Sequence, residues 1–313
     1  MDLVRDALVD ALKGIEVLRV DGPGGRQVRA AFVPAQTGRG KKIRGSVILA
    51  PGRTEFIEKY ADVAAAFVQR GFAVAIIDQR GQGLSDRLAP DPMAGHLDSY
   101  ADAAVHLGRV IEALDARLPG PRVLVGHSMG GAIGLEGLLN GVLPGITAAA
   151  FSAPMWGLVV PPWARLSVRV MMAAGQGETF APTVPRVWSP DPFDGNAVTH
   201  DPAAFARNNA LFQMEPRLQI GGVTNGWLDG AFKLFDSFTP ERLARLALPV
   251  LVLSAEAETV VDNTSHARIA GQLPNAKWRT VPGAKHELLH ERPDLRAQTF
   301  AHLDAWLDEV LAV

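Results

Sequence analysis

The sequence contains no cysteine. This absence excludes a disulfide framework, a thiolate zinc site, a cysteine-ligated iron–sulfur cluster and a cysteine nucleophile. An excess of charge of one sign is also lacking, because 31 Lys and Arg residues stand against 33 Asp and Glu residues and the formal net charge is −2. Proteins that bind nucleic acids usually carry a basic excess, so we expect no nucleic-acid partner.

Long uninterrupted apolar runs are missing as well. Residues 1–14 contain three aspartates, which is unlike a signal peptide and instead predicts a short amphipathic helix. Residues 137–164 carry no charge, but four prolines interrupt them, whereas a membrane-spanning helix needs about 20 apolar residues in one run. We expect no spanning helix, and the lack of cysteine is compatible with a cytoplasmic location.

The hydrophobic fraction is 48%, and its pattern predicts alternating strands and helices. Such alternation is typical of βαβ units and of a mostly parallel sheet with helices on both faces. The predicted strands are 15–20, 28–33, 46–50, 72–77, 123–126, 146–151, 248–254 and 277–281. The predicted helices of this core are 57–70, 98–118, 130–139, 263–273 and 289–313.

The alternation stops between residues 153 and 239. Prolines cluster there, and the segment holds 11 of the 21 aromatic residues. We interpret it as an inserted helical lid, which divides the chain into a first core part (1–152), the lid (153–239) and a second core part (240–313). Either the lid has a small core of its own, or its inner face lines an apolar pocket; both can hold together.

The strongest motif is Gly-His-Ser-Met-Gly-Gly at 126–131. It is a G-x-S-x-G sequence between a predicted strand and a predicted helix, the context of a nucleophile elbow. Glycines on both sides of Ser128 leave room for a sharp turn that exposes the hydroxyl group. The backbone N–H of Met129 is then expected to stabilise an oxyanion, while the side chain of His127 is expected to point away.

A serine nucleophile needs a base, and in chains with this elbow the acid and then the histidine follow the serine. His286 follows the last predicted strand and fits the base. Three carboxylates follow the preceding strand: Glu256, Glu258 and Asp262. We favour Glu258 because it lies in the middle of the loop. Asp262 remains the alternative acid, although it also resembles a helix N-cap.

The second oxyanion donor is expected in the loop after the third strand, Pro-Gly-Arg-Thr-Glu at 51–55. Gly52 permits a tight turn, and the backbone N–H of Arg53 is the predicted donor. We expect the Arg53 side chain to face solvent or to form an ion pair, as most arginines do. Contact with a substrate phosphate is the alternative for this side chain.

These residues together resemble the monoacylglycerol lipase and lysophospholipase group of α/β-hydrolases. The matching strings are PGRTEFIEKY at 51–60, DQRGQGLSD at 78–86, GHSMGG at 126–131 and GAKHE at 283–287. The similarity covers about residues 44–152 and 240–292 and includes the Gly-Arg-Thr-Glu-Phe string of bacterial lysophospholipases. Many members carry aspartate at the position that matches Glu258.

The resemblance implies an α/β-hydrolase fold and a serine esterase that uses no cofactor and no metal. It implies that Ser128, His286 and Glu258 form the catalytic triad and that segment 78–86 is structural. The expected substrate is an ester of the lysophospholipid or monoacylglycerol type, because an aromatic-rich lid suggests a bound acyl chain. Transient contact of the lid with a membrane surface is part of this prediction.

Three other functions fit parts of the sequence. An amidase or aminopeptidase uses the same triad. A catalytically inactive binding protein is a further alternative, for which only the change of the triad acid speaks. His-Glu-Leu-Leu-His at 286–290 also matches the H-E-x-x-H zinc motif, but prolines on both sides leave a helix of barely two turns, and no third ligand is evident.

Overall fold

The computed structural model describes residues 3–36, 42–190 and 192–312. Its centre is one eight-stranded sheet with the order β1-β2-β4-β3-β5-β6-β7-β8. β1 and β2 pair antiparallel, β2 pairs antiparallel with β4, and all other neighbours are parallel. The strands are β1 (Glu16–Asp21), β2 (Gln27–Val33), β3 (Gly45–Ala50), β4 (Phe72–Ile77), β5 (Arg122–His127), β6 (Ile146–Ser152), β7 (Val250–Ala255) and β8 (Ala276–Val281).

Ten α-helices accompany the sheet within these residues. Each predicted core helix has a counterpart. The helices are α1 (Ala7–Asp10), α2 (Ala61–Gln69), α3 (Tyr100–Ala113), α4 (Met129–Leu139), α5 (Ala164–Ala173), α6 (Pro202–Met214), α7 (Asn225–Ser237), α8 (Pro240–Leu243), α9 (Asn263–Ala270) and α10 (Pro293–Val310).

The helices cover both faces of the sheet, as predicted. Alternate residues of β3 enter different cores, because side chains of a strand point to opposite faces. Ile48 and Ala50 pack in the core that contains α3, α4 and α9, whereas Val47 and Leu49 pack in the core that contains α2 and α10. The sheet is therefore buried on both sides, which explains its near-continuous apolar strands.

Several helices are shorter than the apolar spacing predicted. The expected helix 57–70 begins with a 3₁₀ turn at Ile57–Tyr60 before α2. The expected tail 289–313 likewise starts with a 3₁₀ turn, Leu288–His290, and α10 then begins with a proline at its first position, where the missing N–H costs nothing. The N-terminal helix has only four residues, capped by Asp6.

The described residues between β6 and β7 form helices α5 to α8 and contain no strand of the sheet. Two isolated bridges connect this region internally and to the core, Phe180 with Thr224 and Gly95 with Val223. Within the described ranges, no helix is long and apolar enough to cross a membrane.

Candidate active site

Ser128 lies at the sharp turn between β5 and α4. Its backbone has φ 49° and ψ −120°, a conformation that L-residues adopt only under strain. The turn depends on its glycines, because a Cβ on Gly130 would lie 2.0 Å from the carbonyl oxygen of Ala50 and a Cβ on Gly126 would lie 2.8 Å from Cα of Gly131. The predicted elbow is thus present, and its serine starts a helix.

The side chains of Ser128, His286 and Glu258 form a continuous hydrogen-bonded line. Oγ of Ser128 donates to Nε2 of His286 over 2.9 Å, and Nδ1 of His286 donates to Oε2 of Glu258 over 2.7 Å. The histidine follows β8 and the carboxylate follows β7. The parallel sheet therefore brings together His286 and Ser128, which are 158 positions apart, and His286 and Glu258, which are 28 positions apart. This is the geometry of an activated nucleophile.

The second carboxylate oxygen of Glu258 accepts hydrogen bonds from the backbone N–H groups of Val260 and Val261, at 2.7 and 3.2 Å. Burial alone would raise the pKa of Glu258, but the contact with His286 and these two N–H groups hold the pKa below its ordinary value. The carboxylate therefore stays ionised and keeps Nδ1 of His286 protonated.

The two other candidate acids have different partners. Asp262 caps α9, accepting from the backbone N–H of Thr264 at 2.9 Å and from its hydroxyl at 2.7 Å. Glu256 is exposed and accepts from the N–H of Gly283 at 2.8 Å. The structure therefore brings Glu258, rather than either neighbour, to His286.

The loop after β3 passes directly beside the serine. A Cβ on Gly52 would lie 3.0 Å from Cβ of Ser128. The N–H of Gly52 donates to the Glu55 carboxylate, and the N–H of Thr54 donates to the side chain of Gln82 over 2.8 Å. Within the described residues no acceptor is bonded to the N–H of Arg53, so the flanking contacts leave this one donor free.

Met129 supplies the other predicted donor. It is the first residue of α4, so its N–H has no partner inside the helix, and it bonds no acceptor elsewhere in the described ranges. Helix N-termini also carry a partial positive charge. The N–H groups of Arg53 and Met129 thus both lack an acceptor among the described residues, and their role as oxyanion donors stays a prediction.

Segment 78–86 supports this loop rather than the reacting groups. Asp78 accepts from the N–H groups of Ile57 and Leu84, at 2.8 and 2.7 Å, and from Nε of Arg29 at 2.7 Å. Gln82 also binds the loop 51–55 after β3, called the oxyanion loop below, through a second contact, since its amide nitrogen donates to the carbonyl of Gly52 over 3.2 Å.

A buried polar network below the site was not predicted from the sequence. Lys59 Nζ lies 2.8 Å from Glu55 and 2.6 Å from Glu287, and the hydroxyl of Tyr60 donates to Glu55 over 2.7 Å. Burial alone would raise the pKa of Glu55, but the Lys59 ammonium holds it well below the usual range. The one sequence signal for this network was the presence of acidic residues in the motif strings at 51–60 and 283–287.

The expectation that the His127 side chain points away from the site was wrong. Its ring lies 4.8 Å from the ring of His286, between centroids, and its Nδ1 bonds the carbonyl of Ser152 at 3.0 Å. Burial lowers the pKa of His127 to about 4. A neutral imidazole therefore supports the catalytic candidate His286 from the side.

The expectation for the Arg53 side chain was also wrong. It is half-buried rather than free in solvent, and it forms no ion pair with any described residue. Its Nη2 donates to the carbonyl of Gly221, while its Nε is buried and finds no acceptor in the part of the chain that the structure describes. Burial lowers the pKa of Arg53 to about 10.

The H-E-x-x-H string does not form the helix that a zinc motif needs. Only Leu288–His290 is helical, as a 3₁₀ turn, and the ring of His290 packs on Tyr60 at 4.9 Å between centroids. The one group in the described residues with metal-ligand spacing is Glu55, Glu287 and His290, without His286. The ammonium of Lys59 already lies between its two carboxylates.

A cavity of about 440 Å³ opens next to these loops. One side is formed by Arg53 and Thr54 of the oxyanion loop and by Glu287, which follows His286 in the chain. The rest comes from the region between β6 and β7 and is largely apolar, including Val184, Trp188, Phe205, Phe212 and Ile220. The cavity is therefore placed to receive an apolar group joined to a reacting centre at Ser128.

Comparison with known families agrees with this geometry. The model of the family described as Serine aminopeptidase, S33 (Hydrolase_4), matches residues 41–293. The chain belongs to this family. The match includes the elbow, the oxyanion loop and the loops that carry Glu258 and His286, and it confirms the resemblance expected from the sequence motifs.

Relatives within the family share most of their length with this chain. Lysophospholipase L2 of Escherichia coli K12 is 34% identical over 274 residues, covering 80% of this chain and 76% of the relative. Probable lysophospholipase L2 of Haemophilus influenzae is 27% identical, covering 85% and 84%. A soluble variant of monoglyceride lipase from Saccharomyces cerevisiae, solved with a substrate analogue, superposes with a TM-score of 0.68 at 21% identity, over 95% of this chain and 96% of that one. The last comparison confirms the α/β-hydrolase fold.

Proposed function

We propose that the protein is a carboxylic ester hydrolase that cleaves lysophospholipids or monoacylglycerols by way of an acyl-enzyme on Ser128. The observation that carries the proposal is the line from Ser128 through His286 to Glu258, with contacts of 2.9 and 2.7 Å. It joins a nucleophile, a base and a carboxylate that orients the base.

The reaction follows from these contacts. Nε2 of His286 takes the proton of Ser128 as Oγ attacks the ester carbonyl, and the backbone N–H groups of Arg53 and Met129 stabilise the oxyanion. His286 then protonates the leaving alcohol as the ester C–O bond breaks and the acyl group stays on the serine. Water, deprotonated by His286, attacks the acyl group; the bond from the acyl carbon to Oγ then breaks, His286 returns the proton to Ser128, and the acid leaves. No step uses a metal or a cofactor.

The cavity favours a substrate with an acyl chain. We assign residues 153–239 to a lid between the two core parts 1–152 and 240–313. The lid gives the cavity its aromatic and aliphatic wall, which suits the apolar part of a lipid ester, while Arg53, Thr54 and Asn208 make part of the same lining polar. The names of the relatives, lysophospholipase and monoglyceride lipase, point to the same class of ester.

The family description keeps an aminopeptidase as the second candidate. Such an enzyme needs a free carboxylate to bind the substrate's amine. Among the described residues that line the cavity, the one carboxylate is Glu287, and it is paired with Lys59 at 2.6 Å. The cavity therefore favours an ester over a peptide with a charged N-terminus.

The outer face of the lid suits transient contact with a lipid surface. Trp163, Leu166 and Val170 are 57, 65 and 59% exposed along α5, and Val159 precedes them at 73%. Residues 153–177 contain two arginines and no acidic residue. An exposed apolar helix face with cationic neighbours is typical of a helix that binds anionic membranes. Cosedimentation with phosphatidylglycerol vesicles tests this contact, and Leu166→Glu is expected to reduce it.

Hydrolysis of matched esters tests the proposed function. We expect wild-type protein to release fatty acid from a lysophospholipid or a monoacylglycerol and Ser128→Ala to lose this activity with its thermal unfolding unchanged. Turnover close to wild type in Ser128→Ala contradicts the mechanism. Cleavage of aminoacyl amides in place of both esters selects the aminopeptidase.

A further inference from the structure

We propose that the guanidinium of Arg53 binds the phosphate of a lysophospholipid headgroup and so makes the protein prefer phosphate-bearing monoacyl esters to neutral monoacylglycerols. The inference rests on the proposed function, because it places this anion on the alcohol side of the ester that Ser128 attacks. It assigns to one residue two roles, a backbone oxyanion donor and a side-chain headgroup ligand.

The positive charge of Arg53 has no counter-charge among the described residues. Within the described residues no carboxylate lies within 4.0 Å of Arg53, in contrast to the buried cations Arg29 and Lys59, each of which has two carboxylate partners. The phenol of Tyr100 near Arg53 supplies no counter-charge, because burial raises the pKa of Tyr100 well above its ordinary value. A poorly solvated cation without a counter-charge is stabilised when an anion binds.

The guanidinium of Arg53 also has more hydrogen-bond donors than acceptors among the described residues. A guanidinium has five N–H donors in a planar fork, and the described residues accept from Arg53 only through the carbonyl of Gly221. The remaining donors, including the buried Nε, suit the oxygens of a phosphate group. The side chain fits closely, since a Cβ on Gly95 would lie 2.7 Å from its Nη2.

The position of Arg53 in the cavity also suits a headgroup ligand. Arg53 lines the 440 Å³ cavity, and its own backbone N–H is the proposed oxyanion donor, so a headgroup bound there stays within reach of the scissile ester. Asn208 of α6 lines the same cavity and has a buried Oδ1 that no donor of the described chain reaches. That amide oxygen suits the free glycerol hydroxyl of a lysophospholipid. The negative charge of Glu287 in this cavity is compensated by Lys59.

The test compares two substrates that differ only in the phosphate: a 1-acylglycerol and the 1-acylglycerol 3-phosphate with the same acyl chain, both below their critical micelle concentrations. The measured quantity is the ratio of kcat/KM values, phosphorylated over neutral. Arg53→Gln is expected to lower this ratio on the order of 10- to 100-fold, the range of a charge-assisted contact. Arg53→Lys is expected to give an intermediate ratio because it keeps the charge without the fork.

The matched control is Arg186→Gln, which removes one positive charge from an exposed position between the cavity residues Val184 and Trp188, itself outside the cavity lining. We expect it to leave the ratio as in wild type. If Arg53→Gln lowers kcat/KM for both esters equally, Arg53 only ties the core to Gly221 and the proposal is overturned. The neutral ester itself reports on the oxyanion loop in each variant.

Inorganic phosphate, added during hydrolysis of the neutral ester, separates a headgroup site from a free-anion site. Inhibition that disappears in Arg53→Gln, without any wild-type preference for the phosphorylated ester, assigns the site to free phosphate and overturns the proposal. If wild-type protein hydrolyses neither ester, the proposed function fails, and this inference fails with it. Activity on both esters with an unchanged ratio refutes the inference alone.

Discussion

Replacing Glu258 by glutamine tests the assignment of the triad acid at a single atom. In the native protein Oε1 accepts from the N–H groups of Val260 and Val261, and Oε2 accepts from Nδ1 of His286. A glutamine has only one oxygen, and two backbone donors hold it at the Oε1 position. Its NH₂ group then faces His286.

This substitution reverses the hydrogen bond to the imidazole. Facing an NH₂ donor, Nδ1 of His286 becomes the acceptor, and the ring proton moves to Nε2. Nε2 then no longer accepts the proton of Ser128. Loss of the correct tautomer in a serine triad costs about 10⁴-fold in kcat, and we expect a loss of this order in Glu258→Gln.

The assay is steady-state hydrolysis of a soluble short-chain p-nitrophenyl ester, with urea unfolding as the check on folding. Asp262→Asn is the matched control, because asparagine is as good an N-cap as aspartate and Asp262 does not contact His286. We expect its kcat to stay within about threefold of wild type, since the substitution removes one partly exposed charge that does not touch the triad. A small effect of Glu258→Gln together with a large effect of Asp262→Asn refutes the assignment.

Three further predictions concern the groups around the triad. Gly130→Ala is expected to destabilise the protein by about 1–3 kcal/mol or more in urea unfolding, because its Cβ would lie 2.0 Å from the carbonyl oxygen of Ala50; unchanged stability contradicts the strained elbow. Gln82→Ala removes the acceptor of the Thr54 N–H and is expected to lower kcat about tenfold in ester hydrolysis, less than the 10²–10³ of a lost oxyanion donor. His127 has a folded-state pKa of about 4, below its unfolded value, so stability is lost as pH falls from about 6.5 to 4. His127→Gln is expected to remove about 1.4 kcal/mol per pH unit of that slope in urea titrations, and an unchanged slope refutes this origin.

The sheet and the elbow were predictable because their signals are local. β3, β4 and β5 are short apolar runs bounded by glycine or polar residues, and sheet strands buried on both faces have that composition. The elbow motif adds the order of its partners, so His286 followed from its place after the last strand. The triad acid had to be chosen among three carboxylates in one loop. Only the structure distinguishes Glu258, because the backbone N–H groups of residues 260 and 261 bind its carboxylate.

What the sequence did not reveal depends on contacts between distant segments. His106 belongs to no sequence motif, yet it is buried against Gly22, where a Cβ would lie 2.2 Å from its Nε2. The network of Glu55, Lys59 and Glu287 joins residues more than 220 positions apart. No periodicity encodes such pairs, and the lack of a carboxylate partner for Arg53 among the described residues likewise follows only from what surrounds it.

Covalent labelling of the serine tests the central claim most directly. Wild-type protein and Ser128→Ala are treated with a fluorophosphonate probe and analysed by intact mass and peptide mapping. The account predicts one adduct on the wild type, located on Ser128, and none on the variant. Absence of an adduct on folded wild-type protein, or an adduct on another residue, contradicts an activated Ser128.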